Sequence, residues 1–216
     1  MEIYTQGIGE KRFSPEEIKI NFNFKIHAKT YEQTLNEGIK KVDEFTKLLE
    51  KLNFKRETFK TLAFRVYEET KYDKEKQKDV LVGYIYNHDA SLIFDYDMKR
   101  LSSLIQEISK LKDGPKANIS FSLKNEDKAK SACIDKAYKN AKTKAEAIAK
   151  SAGKKLLECK KVSFESFDEK VESATKFNGM AKMALQDSYS MHSIENIIVP
   201  QDIEVSQELY CLWVAE

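Results

Sequence analysis

The sequence predicts an α+β fold in which helices cover one face of an antiparallel sheet. Apolar and polar residues alternate with a period of two over residues 18–26, which is typical of a strand with one buried face. Apolar residues recur every three or four positions over residues 35–52 and 98–111, which indicates two amphipathic helices. Residues 14–124 therefore follow the order strand, helix, strand, strand, helix, strand, which is that of a split β-α-β core.

The first strand and the first helix have the clearest patterns. The buried face of the strand is predicted to consist of Ile18, Ile20, Phe22, Phe24 and Ile26. Thr30 precedes the helix and Gln33 follows three positions later, which is the spacing of a capping box. The apolar side of this helix consists of Tyr31, Leu35, Ile39, Val42, Phe45, Leu49 and Leu52.

A hairpin, a second helix and a fourth strand complete the predicted core. Residues 58–69 and 80–94 are the strands of a long hairpin, joined by a polar run. Asp97 is placed to cap the second helix, and the Asp-Gly-Pro sequence of residues 113–115 ends it. Residues 117–123 alternate again and form the fourth strand.

A third helix and two more strands extend this core. The helix is predicted over residues 126–152, with Gly153 as a left-handed C-cap. Its inner stripe consists of small side chains and one larger one, namely Ala129, Cys133, Ala137, Ala141, Ala145 and Ile148. Small side chains let backbones approach closely, so we expect tight packing on a sheet or another helix. Residues 156–167 and 203–214 are the two further strands.

We expect these elements to form a single α+β domain over residues 1–216. Its two parts would be the β-α-β-β-α-β core over residues 14–124 and the helix with two strands over residues 125–216. Residues 168–200 contain an Asn-Gly pair and three methionines without a regular period, so we expect a flexible insertion, partly helical around residues 179–186.

Composition excludes several classes of protein. Lys and Arg number 37 against 35 Asp and Glu, and this net charge of +2 gives no strong nucleic-acid signal. No window approaches the roughly 18 apolar residues that a transmembrane helix needs. The three cysteines show no CxxC spacing, which argues against a disulfide framework or a zinc knuckle and favours reduced, mostly buried thiols.

The sequence predicts no catalytic, cofactor-binding or metal site. The Gly-Ile-Gly of residues 7–9 lacks the helix and the third glycine of a phosphate loop, so a flexible lead-in is favoured. His27, His88 and His192 lack the spacing of zinc ligands on one helical face. The Asp-Tyr-Asp of residues 95–97 carries two carboxylates that could hold Mg²⁺, but capping by the second aspartate is favoured. We therefore expect a non-catalytic protein without a cofactor.

A lysine-rich segment is the most distinctive charge feature. Residues 124–161 carry twelve lysines against five acidic residues. Five of these lysines lie opposite the small-residue stripe of the third helix, namely Lys128, Lys136, Lys139, Lys142 and Lys150. Because arginine and aromatic residues are not interleaved with them, a solvated helix face is favoured, and an acidic partner is the alternative.

Several landmarks along the chain share their pattern with one protein family. Residues 7–9 (Gly-Ile-Gly) and 14–16 (Ser-Pro-Glu) precede the first strand, and Gly83-Tyr84 begins the second strand of the hairpin. Thr58, Thr61 and Tyr72 follow the first helix. The best match is Ile119–Gly153, where an Ile-x-Phe strand is followed by an Ala-rich helix that ends in Ala-x-x-x-Gly. Together these landmarks resemble the SIMPL domain family, which includes periplasmic and outer-membrane-associated immunogenic proteins of bacteria and a signalling adaptor of animal cells.

The resemblance implies a role in binding rather than catalysis. The family has no established catalytic residues, and its members look like self-associating or partner-binding domains. Most members carry export signals, whereas residues 1–11 show no signal peptide, so we expect a cytoplasmic location.

The leading functional hypothesis is a scaffold that forms homo-oligomers, or binds a protein partner, through strand edges or the long hairpin. Leu81, Ile85 and Ile93 would be apolar on the second face of the hairpin strand, and residues 210–214 are also apolar. This is more apolar surface than one sheet face buries, although the third helix or the insertion could cover it within one chain.

A different class of function is the alternative to this hypothesis. A small-molecule or metal-binding site could form under the insertion at residues 168–200. Met180, Met183, Met191 and His192 lie close together there, although they could equally form a soft hydrophobic flap.

Overall fold

The computed structural model describes residues 1–167, 183–184 and 198–216. In chain order the elements are β1 (Glu2–Phe13), β2 (Glu17–Ala28), α1 (Tyr31–Lys51), a 3-10 turn (Arg56–Thr58), β3 (Phe59–Asp73), β4 (Lys78–Asp95), α2 (Met98–Ser109), β5 (Lys116–Ser122), α3 (Glu126–Ser151), β6 (Leu156–Ser163), β7 (Met183–Ala184) and β8 (Ile203–Ala215). Within these described ranges, three helices and two antiparallel sheets confirm the predicted α+β class.

The described residues fall into two compact units. Unit 1 contains the described residues of Met1–Pro15, Leu123–Met180 and Gln201–Glu216. Unit 2 contains those of Glu16–Ser122 and Ala181–Pro200. Unit 2 is therefore almost continuous in sequence, whereas unit 1 is assembled from both ends of the chain and a middle segment.

The sheet of unit 2 has the strand order β3-β4-β2-β5-β7, and all neighbouring strands are antiparallel. Four of these strands, β2 to β5, are connected in chain order through α1 and α2. They have the order of a split β-α-β core, as the sequence predicts. The strand β2 lies at the centre and pairs with both β4 and β5.

The core of unit 2 lies between one face of this sheet and the two helices. The alternating apolar residues of β2 are buried there, and Phe22 meets Phe45 of α1 edge-on with ring centroids 4.8 Å apart. Leu101 and Leu104 of α2 are fully buried in the same cluster. Burial of such side chains is the main favourable term in folding, so this face fixes the strand register.

Both predicted N-caps of unit 2 are confirmed. The Thr30 hydroxyl accepts a hydrogen bond from the backbone N–H of Gln33 at 3.3 Å. The Asp97 carboxylate accepts one from the backbone N–H of Arg100 at 3.0 Å. Each bond satisfies one of the backbone donors that a helix leaves free in its first turn.

Unit 1 consists of a three-stranded sheet, order β1-β8-β6, with α3 packed on it. The expected flexible lead-in at residues 7–9 is wrong, because this segment lies within β1 and pairs with Gln207–Leu209 of β8. The core contains Trp213, whose indole N–H donates to the Thr5 hydroxyl at 2.8 Å.

The two glycines of β1 allow the backbone of α3 to lie directly on the strand. A Cβ added at Gly7 would lie 2.7 Å from the backbone nitrogen of Ala141, and closer still to the carbonyl oxygen of Ala137. A Cβ at Gly9 would lie 2.5 Å from the backbone nitrogen of Ala137. No side chain fits between strand and helix at these positions, so the glycines are needed for space rather than for flexibility.

The buried stripe of α3 differs from the prediction at one position. The stripe consists of Ala129, Cys133, Ala137, Ala141, Ala145 and Ala149. The predicted Ile148 is exposed instead, because the stripe follows a strict spacing of four, the i±4n ridge that packs into grooves of a neighbouring surface. The predicted left-handed C-cap is confirmed, since Gly153 has φ of +67° and Lys154 N–H donates to the carbonyl of Ala149 at 2.9 Å.

The predictions for residues 156–200 are only partly covered by the described residues. The strand predicted over residues 156–167 ends at Ser163. Most of the predicted insertion at residues 168–200, including its helical part, lies outside the described residues apart from β7 and residues 198–200. The single-domain organisation stays a prediction. Among the described residues, no helix has both the length and the apolar character needed to cross a membrane.

We predict that Gly7→Ala destabilises unit 1 by about 2 to 3 kcal/mol, because the added methyl group overpacks the contact between β1 and α3. Trp213 is the only tryptophan of the chain and is buried in unit 1, so its fluorescence during urea unfolding reports on this unit. Replacing glycine by alanine in an ordinary strand should be favourable, so the sign of the effect is diagnostic.

The matched control for this variant is Ile8→Ala, since the Ile8 side chain is exposed between the two glycines. It should change the free energy of unfolding by less than about 1 kcal/mol. A Gly7→Ala protein as stable as the wild type would show that the close approach does not limit stability.

Candidate functional site

The face of the unit 2 sheet that lies away from its helices carries short polar side chains on its central strands. In the register, Asn21 of β2 lies between Ser91 of β4 and Asn118 of β5, and Asn23 lies opposite Asp89. Five of these residues form what we call the amide face, namely Asn21, Asn23, Asn87, Asp89 and Asn118. Asparagine and aspartate are depleted in strands, so their concentration at the centre of a sheet is unusual.

A hydrogen-bond network holds one side of the amide face. The Asn23 side-chain amide donates to Asn87 Oδ1 at 2.9 Å and to Asp89 Oδ1 at 2.7 Å. The Asn87 amide donates to Asp89 Oδ2 at 3.3 Å. The Asp89 carboxylate therefore accepts one bond at each oxygen, which fixes its orientation and also the orientation of both amides.

The other side of the amide face contains an acceptor without a partner. Asn21 Oδ1 is buried and accepts no hydrogen bond from the described residues. Asn21 is also one of the residues that line a depression of about 470 Å³, whose wall includes Leu62, Ala63 and Lys116. A buried carbonyl oxygen without a donor costs folding free energy, which makes this position a candidate for binding an external donor.

A second polar cluster lies on the helix side of the same sheet. His88 Nδ1 lies 3.0 Å from the Tyr86 hydroxyl, and His88 Nε2 lies 2.9 Å from the Thr61 hydroxyl. Burial lowers the pKa of His88, although the nearby Asp89 carboxylate opposes this effect, and burial raises the pKa of Tyr86. Both side chains are therefore held in their neutral forms, which suits a structural hydrogen-bonded chain.

The outer edge of the unit 2 sheet is a further candidate surface. The strand β3 is 15 residues long and lies at the end of the sheet order. Apolar side chains on it are exposed, with 59% of Leu62, 52% of Phe64 and 62% of Tyr72 accessible to solvent. Edge strands with exposed apolar side chains are typical sites of strand pairing between chains.

The predicted lysines of α3 are exposed, as expected for the face opposite the buried stripe. Part of this charge is used within unit 1, since Lys136 Nζ donates to the backbone carbonyl of Glu10 at 3.1 Å and Lys142 pairs with Glu146 at 3.8 Å. Lys144, outside the predicted five, donates to the carbonyl of Gln6 at 2.7 Å. These contacts support a structural and solvated role for the helix face.

The two histidines among the described residues lie on opposite faces of the unit 2 sheet. His27 lies on the same sheet face as Asn21 and Asn23, with its Nδ1 3.1 Å from Glu69 Oε2, whereas His88 points to the helix side. Within the described ranges, no group of three or more His, Cys, Asp or Glu residues is arranged to hold a metal ion. Met180, Met191 and His192 lie outside the described residues, and only the backbone pairing of Met183 is described.

The cysteines are free thiols, as predicted, with Cys133 and Cys211 buried. Burial raises the pKa of Cys211 to about 11, with a smaller contribution from the neighbouring Cys159. Burial also raises the pKa of Cys133. Such thiols stay protonated and unreactive at neutral pH.

Sequence reasoning missed the amide face. The asparagines of β2 were visible as the polar half of an alternating strand, which ordinarily faces water. Similar short polar residues also occur on β4 and β5, which was the signal available in the sequence. These residues are recognised as one cluster only when the strand order is known.

We predict that His88 makes unit 2 less stable as the pH falls. Because the folded-state pKa of His88 lies below the ordinary value near 6.5, the unfolded chain binds the proton more readily. The free energy of unfolding should fall as the pH drops through about 6.5 and stop falling from this cause below the folded-state pKa. Urea unfolding followed by circular dichroism at several pH values measures this, and His88→Gln should show a shallower dependence. An unchanged dependence in that variant would assign the effect to other groups.

A family of known proteins matches this chain over most of its length. The chain matches the model of the SIMPL family, described as "Protein of unknown function (DUF541)", over residues 3–211. No curated protein shows a significant match to the chain. Since the matched region includes nearly all of β1, the Ala-rich α3 and residues 203–211 of β8, the predicted resemblance is confirmed, and the chain belongs to the SIMPL family.

Proposed function

We propose that this chain is a non-catalytic scaffold that self-associates by antiparallel pairing of β3 with β3 of a second copy. The main support for this proposal is that β3 is a long outer strand of the unit 2 sheet with exposed apolar side chains. One edge of such a strand has backbone N–H and C=O groups that no strand among the described residues pairs.

The bulges of β3 limit where pairing can occur. The register with β4 shifts between Thr61 and Ala63 and again between Glu69 and Thr70. Bulges of this kind usually protect an edge, because they twist it away from a second strand. The segment Ala63–Glu69 between them is regular, so it is the part of β3 that is suited to pairing.

Symmetry selects the register of the pair. A two-fold axis between antiparallel strands preserves the faces of the sheet, so opposite residues must have the same parity in sequence. With the axis at Tyr67, this residue lies against its own copy, and Arg65 lies opposite Glu69 of the second copy, twice per dimer. Opposite charges at facing positions stabilise a strand pair, and aromatic pairs add to this.

The contacts of these residues within one chain are compatible with this register. The Arg65 guanidinium lies 5.8 Å from the centroid of the Tyr67 ring, so the two side chains share one face. Glu69 contacts His27 on the neighbouring part of the same face, and the Glu69 side chain is 32% exposed. Arg65 forms no ion pair with the described residues that would have to break on association.

Two other functions have less support. Binding of an acidic partner by α3 competes with the contacts that Lys136 and Lys142 already make. A small-molecule or metal site under residues 168–200 depends on side chains outside the described residues. Neither alternative has a described surface as extended as the β3 edge.

We predict that the wild-type chain has twice its mass of 25.0 kDa in light scattering during size exclusion. Arg65→Glu and Glu69→Arg should each raise the dissociation constant at least about tenfold, because each places like charges opposite each other. The double variant with both changes should restore the dimer, since the two charges are exchanged rather than lost.

Lys40→Glu is the matched control, because it reverses one exposed charge on α1. It should leave the mass in solution unchanged. A monomeric wild-type chain at high concentration, or a double variant as monomeric as the single ones, would contradict this proposal.

A further inference from the structure

We propose that the depression on the amide face binds a small uncharged molecule with several hydroxyl groups, such as a monosaccharide or a polyol. The site lies on described residues of unit 2 and shares Ala63 with the pairing segment, but Arg65, Tyr67 and Glu69 do not line it. It does not depend on the proposed self-association.

The unpaired acceptor is the first argument for this ligand. Asn21 lines the depression, and its Oδ1 is buried without a hydrogen-bond donor among the described residues. A hydroxyl group from a ligand would supply the missing donor. The neighbouring Asn118 lies opposite Asn21 in the register and also lines the depression, so one ligand can reach both side chains.

The hydrogen-bonding capacity of Asp89 is the second argument. Its two carboxylate oxygens accept one bond each, from Asn23 and from Asn87, and each oxygen retains a lone pair. Because the two amides hold the carboxylate in place, it can accept hydroxyl donors without losing side-chain freedom on binding. Vicinal hydroxyl groups on a ligand would match acceptors that are fixed at neighbouring positions.

The charge balance of the site selects an uncharged ligand. The Asp89 carboxylate and the Lys116 ammonium group are the two charges that line the depression, and Asn23 lies between them in the register. Because these two opposite charges balance, the site favours neither an anion nor a cation. A neutral molecule with both donors and acceptors can use both groups.

The size and the wall of the depression fit the same class. Its volume of about 470 Å³ lies within the range of small-molecule sites, roughly 300–1,000 Å³. Leu62 lies at the bulge of β3 and, with Ala63, forms an apolar part of the wall. The C–H groups of a sugar ring or a polyol chain can pack against these side chains while the hydroxyl groups face the amides.

Strand propensity provides an independent indication. A β-branched apolar residue would suit the centre of β2 better than asparagine. Residues that break a local rule without a compensating contact concentrate at functional sites. Asn21 therefore should reduce the stability of the sheet while serving the site.

The test is a titration of the full-length, ¹⁵N-labelled chain with glucose, galactose, mannose and glycerol, followed by NMR. We expect at least one of the four to shift the side-chain amide resonances of Asn21, Asn23 and Asn118 in a saturable manner. The resonance of Asn36, which is exposed on α1, should not shift. No saturable shift with any of the four, or equal shifts at Asn36, would overturn the proposal.

Two variants separate binding from folding. Asn21→Val should weaken binding at least tenfold and raise the midpoint of thermal unfolding. Lys116→Gln changes an exposed side chain of the rim, so the fold is retained, and it should also weaken binding. Asn36→Val is the matched control and should leave the affinity unchanged. If Lys116→Gln binds as well as the wild type while Asn21→Val unfolds at a lower temperature, the amide face is structural and the proposal fails.

Discussion

The backbone contact between β1 and α3 is the constraint on which unit 1 depends. Gly7 and Gly9 leave no side chain between the strand and the carbonyl groups of Cys133 and Ala137. The alanine stripe of α3 provides the matching surface, because any larger residue in it would lift the helix from the sheet. The same sheet joins the chain termini, with the amino group of Met1 donating to the carbonyl of Ala215 at 2.7 Å. The sheet of unit 1 therefore needs both β1 and β8, which are far apart in sequence.

The sequence predicted the elements whose pattern is local. Examples are the alternation of β2, the apolar stripes of α1 and α2, and the caps at Thr30, Asp97 and Gly153. Each of these features is defined by residues that lie only a few positions apart. The prediction for the segment at Gly7 is wrong because its glycines are needed for contact with a helix about 130 positions away. From the sequence alone, glycine near the start of a chain normally indicates flexibility. Tertiary contact thus overrides a local rule at the place where unit 1 is most tightly packed.

The candidate sites could not be predicted for a related reason. The amide face exists because β4 and β5 both pair with β2, and the register places Asn21 opposite Asn118 and Asn23 opposite Asp89. A sequence shows which residues share a face of one strand, but the neighbours across strands depend on the strand order. The exposed edge could not be predicted for the same reason. The sequence predicts the hairpin but not its position in the sheet, and the structure places β3 outermost.

The closely packed landmarks of this chain and its candidate sites lie in different units. Gly7, the Ala-rich helix and Gly153 belong to unit 1, where they satisfy packing and capping. The amide face and the β3 edge belong to unit 2, where strand propensity is violated and apolar side chains are exposed. A pattern of small residues that is required for packing identifies a fold. It does not specify a ligand, because many different residues on the exposed faces are compatible with the same packing. Both proposals for this chain therefore concern a face and an edge of the larger sheet, whereas the packing of unit 1 explains its glycine and alanine positions.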